Sequence, residues 1–109
     1  VELKETTKLY RALSDETRLR ILFVLSRGKF CVQDLTEILE VPQSTISRHL
    51  GVLGNVRLVN DKRVGTRVFY SLAKPEGVIH KKVLECIQKI FPGFRVIQED
   101  DKRISSFKR

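Results

Sequence analysis

The chain has 109 residues, a formal net charge of +8 and two cysteines, which suits one domain with a modest core and a polyanionic partner, nucleic acid before an anionic membrane. The longest apolar run, residues 21–25, is far below the roughly 20 needed to span a bilayer, and no charged-then-apolar leader precedes it. A cytoplasmic protein with no membrane partner, no disulfide framework and no cofactor needed for folding is expected. An enzyme is not, since there is no glycine-rich phosphate loop and the paired carboxylates fall in helix caps or on wet faces.

Residues 3–13 read as a helix with Leu9, Tyr10 and Leu13 on its inner side. Ser14-Asp15-Glu16 then supplies an N-cap and first-turn acids, opening a core helix through Leu19, Ile21, Leu22 and Leu25 that stops at Gly28. From residue 30 to 40, Val32, Leu35, Ile38 and Leu39 recur at helical spacing while Gln33, Thr36, Glu37 and Glu40 stay wet. Val41-Pro42 ends that helix, because proline has no amide donor and disfavours helix in the residue before it. Another helix follows directly, with Ile46, Leu50 and Leu53 on one side and Ser44, Arg48, Gly51 and Asn55 opposite, flanked by Gln43, Thr45, Ser47 and His49. Such a face suits a major groove: Arg48 can reach guanine or phosphate, Gln43 and Asn55 can pair with adenine, and the hydroxyls serve either strand. By itself it reads equally well as a solvated helix face.

The next segment tips that balance. Residues 58–61 and 67–72 are short β-branched or aromatic runs around a basic tip at 62–66, the pattern of a hairpin. A helix-turn-helix followed by a basic hairpin is a winged helix, mainly α with a β-hairpin wing. Across residues 44–70, Arg48, Arg57, Lys62, Arg63 and Arg67 face Asp61 as the only acid. Candidate DNA contacts are therefore Gln43, Ser44, Thr45, Ser47, Arg48, Lys62, Arg63, Thr66 and Arg67. Pro75 opens a last helix whose stripe is Ile79, Val83, Cys86, Ile87 and Ile90, ending at Pro92-Gly93. A chain this small has few places to bury that stripe. With the first helix it predicts a symmetric dimer interface of Leu9, Tyr10, Ile79, Val83, Ile87 and Ile90; the alternative is that the stripe packs on its own core. Residues 1–92 form the expected DNA-binding and dimerisation domain, and 93–109 a charged tail, at most a short helix, with Ile97, Ile104 and Phe107 apolar.

The segments ALSDETRLRIL, FCVQDLTEIL, QSTISRHL and RVGTRVFYSL, in that order and spacing, resemble the ArsR/SmtB family of metal- and metalloid-responsive bacterial repressors. The likeness covers residues 4–91. It implies a homodimeric winged helix-turn-helix repressor, with four helices, two wing strands and a fifth helix, that binds double-stranded operator DNA and leaves it when an inducer binds. It also implies a place for His49 on the DNA face, and the tail resembles the C-terminal helix of the arsenic-responsive branch. The family pattern has basic residues at Gly51 and Gly54, and a glycine at Arg57. Each interior glycine costs a helix about 1 kcal/mol relative to alanine.

The sensor pattern is where the chain departs from that family. Arsenic- and cadmium-type members carry C-V-C-D and zinc-type members C-V-x-D, where this chain has Cys31, Val32, Gln33 and Asp34. Cys31 and Asp34, three apart, share a helix face on which a metal could bridge them. Gln33 replaces the second thiol, and residues 1–10 contain neither cysteine nor histidine. Arsenite, the leading inducer, and cadmium prefer thiolates, so Asp34, Cys86 or residues outside the chain must complete the shell; zinc is the third candidate. Cys86 on its apolar stripe reads first as a small buried hydrophobe. His80 lacks the second ligand pair that zinc-type members use on the last helix. Two alternatives stay open: a thiol redox sensor built on Cys31 and Cys86, and a constitutive or architectural DNA-binding protein without a sensor.

Overall fold

The computed structural model describes residues 2–107. α1 (Leu3–Leu13) and α2 (Glu16–Leu25) meet at Ser14-Asp15, where the Asp15 carboxylate caps α2 by accepting from the Arg18 backbone N–H at 3.1 Å. Ile21, Leu22, Phe23, Val24 and Leu25 are all buried, so α2 is apolar around its whole circumference there. The other helices pack around it.

A short strand, β1 (Phe30–Cys31), leads into α3 (Val32–Leu39), and Glu40 closes α3 in the left-handed region at φ 57. After Val41-Pro42 comes α4 (Gln43–Asn55), whose inner residues Ile46, Leu50 and Leu53 enter the core. Its end is a Schellman closure: the Leu58 N–H donates to the Leu53 carbonyl at 3.1 Å and the Arg57 N–H to that of Gly54 at 3.0 Å. Arg57 takes the left-handed slot of that motif at φ 62, a conformation glycine adopts without strain.

β2 (Val59–Val64) and β3 (Arg67–Leu72) pair antiparallel from Val59 opposite Leu72 to Val64 opposite Arg67, and β1 joins the other edge of β3 with Phe30 opposite Tyr70. The hairpin is tighter than its sequence suggested. Lys62 and Arg63 belong to β2, opposite Phe69 and Val68, and the turn is Gly65-Thr66, with Gly65 at φ 64 as a two-residue hairpin loop requires. α5 (Val78–Lys89) starts at Val78 rather than at Pro75, because the Ala73 N–H still serves the Leu58 carbonyl and holds the chain beside the sheet.

The expected charged tail is a helix, α6 (Arg95–Ser106), reached through a 3-10 turn at Phe91–Gly93. It packs on α2 and α3 and buries Ile97, while Phe107 sits edge-on to Phe30 with ring centroids 6.1 Å apart. Residues 93–107 therefore share the core of the rest, and no domain boundary falls at residue 92; residues 108 and 109 of the expected tail lie outside the described residues. Asp100, 0 % exposed, anchors α6. Its carboxylate accepts from Arg20 Nε at 2.9 Å and Nη2 at 2.8 Å, and from Arg103 Nη2 at 2.8 Å. The same two guanidiniums donate to the last carbonyls of α3, Arg20 to Leu39 at 2.9 Å and Arg103 to Ile38. The hydrogen bonds to Asp100 hold the Arg20 pKa above its ordinary value.

Two residues expected at the dimer face lie in this core. Leu9 and Ile87 are each 2 % exposed, packed against the chain's own apolar cluster.

Candidate nucleic-acid interface

With Ile46, Leu50 and Leu53 fixed in the core, the rotation of α4 is set, and Gln43, Ser44, Ser47, Arg48, Gly51, Gly54 and Asn55 face outward. Thr45 is half-buried at the edge of that face. On the hairpin Lys62, Arg63, Thr66 and Arg67 are exposed. Arg48, Lys62, Arg63 and Arg67 have no ion pair among the described residues. Helix and wing border one cleft of about 490 Å³, lined by Ser47, Gly51 and Gly54 on one side and Asn60, Asp61 and Tyr70 on the other. Burial, and then the charge of Asp61, push the Tyr70 hydroxyl's pKa up. A Cβ added at Gly51 or Gly54 would meet nothing within 4 Å, so neither glycine serves close packing within the protein.

His49 is not on the outer face. Its side chain is buried, 5 % of the residue being exposed, and turns toward α2. Ring Nδ1 lies 3.0 Å from Arg18 Nη1, and Nε2 lies 3.9 Å from the Asp15 carboxylate. Arg18 in turn donates through Nε to the Ala12 carbonyl at 2.6 Å, tying the end of α1 to the same cluster. Burial holds the His49 pKa below its ordinary value; the Asp15 charge opposes this, and Arg18 and Arg48 reinforce it. For Asp15, burial pushes the carboxyl up, but the Arg18 N–H together with the charges of His49 and Arg18 outweighs it and leaves the pKa lowered. The spacing contained the signal: Ile46, His49, Leu50 and Leu53 follow i, i+3, i+4, i+7, so His49 occupies a place in the buried stripe.

The sensor candidates are only partly brought together. Cys31 is the N-cap of α3 and buried; its N–H donates to Asp34 Oδ2 at 3.0 Å within a capping box, so the Asp34 carboxylate is turned back onto the helix start. Cys86 is exposed on α5, against the expectation of a buried hydrophobe. Among the described residues no group of three or more His, Cys, Asp or Glu side chains is placed to hold a metal ion. His80 donates from Nε2 to the Val56 carbonyl at 3.0 Å.

Of the expected dimer residues, Tyr10, Ile79 and Ile90 are exposed and Val83 is half-buried. Val78 and Phe94 are further exposed apolar residues that the stripe did not include. Tyr10, Val78, Ile79 and Cys86 border one apolar depression of about 410 Å³ between α1 and α5. Among the described residues no helix is long and apolar enough to cross a membrane.

Residues 15–61 match the family model described as "Bacterial regulatory protein, arsR family". The chain is 39% identical over 89 residues to the "Transcriptional repressor SmtB homolog" of Synechocystis sp., covering 81% of this chain and 67% of that protein. It is 43% identical over 75 residues to the "Arsenical resistance operon repressor" of Bacillus subtilis, covering 68% and 71%. Among solved structures, a winged helix-turn-helix DNA-binding domain from Mycobacterium bovis, described as homodimeric, superposes with a TM-score of 0.67 at 27% identity, covering 78% of this chain and 73% of that one. The helix-turn-helix, the wing and these likenesses agree: the chain belongs to the ArsR/SmtB family of bacterial regulatory proteins, and is a DNA-binding transcriptional repressor rather than an enzyme.

Proposed function

We propose that the chain represses transcription as a homodimer that reads a two-fold operator in duplex DNA with α4 and the wing, and that a thiophilic inducer of the arsenite type releases it by engaging Cys31. The observation that carries this reading is the outer face of α4. Gln43, Ser44, Ser47 and Arg48 are exposed beside a wing whose cations have no ion pair among the described residues. In such an arrangement hydroxyl, amide and guanidinium groups read base edges while wing cations meet phosphates. Exposed Tyr10, Val78, Ile79, Ile90 and Phe94 supply an apolar face for a second copy, and the homodimeric description of the Mycobacterium domain favours it. Two-fold pairing sets the two α4 helices about one DNA turn apart, roughly 34 Å.

For the inducer, the Bacillus subtilis relative is named for arsenical resistance and a Staphylococcus aureus relative for cadmium resistance; arsenite and cadmium are both thiophiles, and arsenite is the one proposed. Cys31 with Asp34 is not the thiolate set such an ion prefers, since the carboxylate already serves the Cys31 N–H. The assignment therefore stops at Cys31 as the point of contact.

The test uses a duplex selected by the wild-type chain from a random pool, compared with a random duplex across a salt series. Arg48→Ala is expected to cost about 1–3 kcal/mol on the selected duplex and little on the random one. Lys62→Ala and Arg67→Ala weaken both alike and lower the salt slope by about 1 each. Equal losses for the Arg48 variant on both duplexes refute direct readout by this residue. Arsenite is expected to release the wild type and not Cys31→Ser; if no thiophile or oxidant releases either, the constitutive DNA-binding reading replaces the inducible one.

A further inference from the structure

The chain contains two histidines, and their hydrogen bonds run in opposite directions. His80 Nε2 faces the Val56 carbonyl, which can only accept, so that nitrogen carries a proton in either charge state and the bond survives protonation. His49 Nδ1 faces Arg18 Nη1, which can only donate, so that nitrogen must present its lone pair. The neutral ring then carries its proton on Nε2, toward Asp15.

We propose that His49 is a positioning residue that fixes the rotation of α4 against α2 and α1 through Arg18, and that it does so only as the neutral imidazole, so that acid loosens the recognition helix and weakens sequence-specific DNA binding. This rests on the reading of α4 as the helix that enters the groove. A proton taken from solvent adds to Nδ1 and removes the lone pair that Arg18 uses. Two N–H donors, both now on cations, are left facing each other across 3.0 Å. At the other nitrogen the only gain is added attraction between the charged ring and the Asp15 carboxylate 3.9 Å away, which gives Arg18 no acceptor in return. The surroundings add little relief: Arg18 and Asp15 approach from α2, Arg48 lies on the same helix, and Lys8 and Arg11 of α1 border the adjoining cleft of about 260 Å³ together with Arg18. Apart from Asp15 these groups are cations. The site sits between Ile46 and Leu53, which hold the same helix in the core, so a shift there tilts the outer face carrying Ser47 and Arg48.

The sign of the effect separates this from ordinary electrostatics. An added proton raises the net charge and by phosphate attraction alone tightens binding to any duplex. The proposal requires the reverse on a preferred sequence.

The experiment measures binding between about pH 8 and about pH 5.5, the range in which histidine titrates, to a duplex selected by the wild type at the upper pH and to a random duplex. The wild type and His80→Asn are expected to lose affinity for the selected duplex about tenfold on acidification, a shift of about 1.4 kcal/mol, while random-duplex binding holds or tightens. His49→Asn places an amide oxygen near the Nδ1 position and does not titrate, so its affinity stays flat. Selected-duplex affinity that holds in the wild type, or falls equally in His49→Asn, overturns the proposal. Ring-nitrogen chemical shifts of the full chain give a second arm that needs neither a variant nor DNA: an unprotonated Nδ1 on His49 at about pH 8 is expected, and a protonated one refutes the mechanism. If the wild type selects no duplex at all, the reading of α4 fails, and the nitrogen shifts still decide whether His49 holds Arg18 as described.

Discussion

Arg18 and Arg20, with only Leu19 between them on α2, fasten different parts of the molecule by different chemistry. Arg20 makes a two-pronged ion pair with the fully buried Asp100 and also donates to the end of α3, so α6, α3 and α2 meet at an ion pair. Arg18 divides its guanidinium between the Ala12 carbonyl and the His49 ring, so α1, α4 and α2 meet at a titratable group whose pKa burial holds below its ordinary value. The contrast separates two jobs. The joint behind the helix-turn-helix is an ion pair, and the joint beneath its outer face is a hydrogen bond to a ring lone pair.

The largest effect is expected from breaking the ion-paired joint. Asp100→Ala leaves the Arg20 guanidinium partly buried without its partner and should cost about 3–5 kcal/mol of unfolding free energy, read by chemical denaturation. Replacing Arg20, Asp100 and Arg103 together by apolar residues of similar volume should recover most of that loss, because breaking the pair costs more than exchanging it. Arg18→Ala comes next. It deprives the Ala12 carbonyl and His49 Nδ1 of their donor and should cost about 1–3 kcal/mol, with a loss of duplex discrimination larger than Asp100→Ala gives at equal folded fraction.

Acid has the smallest expected effect on stability and sharpens the contrast most. Because the folded His49 has a lowered pKa, the unfolded chain takes up this proton more readily. The His49 contribution is therefore fully present above the unfolded value, about 6.5, and fades as pH falls through that value toward the folded one. Tm should begin to decline there in the wild type and less in His49→Asn. Asp15, with its lowered pKa, acts in a separate and more acid window: its contribution is present above the ordinary carboxylate value and is lost as pH falls through the folded one. A wild-type decline that His49→Asn fully shares assigns the effect elsewhere.

The apolar members of the α1 and α4 stripes could be read directly, except for Tyr10, which is exposed. The spacing of Leu9 and Leu13 together with the Ser14-Asp15 stop gave α1 its observed bounds, and Ile46, Leu50 and Leu53 gave α4 its inner side. Both arginine joints escaped for one reason: each buries a polar residue at a stripe position. Asp100 stands between Ile97 and Ile104 at i+3, as His49 stands after Ile46, and periodicity that counts only apolar residues places neither inside. The strand Phe30–Cys31 was illegible for another reason. Two residues carry no alternation, and their pairing depends on Tyr70 and Phe69, far along the chain. The outer face of α4 and the wing cations were legible as chemistry, whereas the exposure of Cys86 depended on how α5 turns against α2, which no local pattern records.

Gly51 and Gly54 leave the outer side of α4 open, with nothing but adjoining residues and the helix's own backbone within 4 Å of where a side chain would begin. Substitutions that alter what a protein recognises usually weaken the fold that displays them. Here any residue but proline improves helix propensity by up to about 1 kcal/mol over glycine, so these two positions can take on side chains while the protein becomes sturdier. On the reading proposed for α4, a change of target sequence made at these two positions draws on no reserve of stability elsewhere.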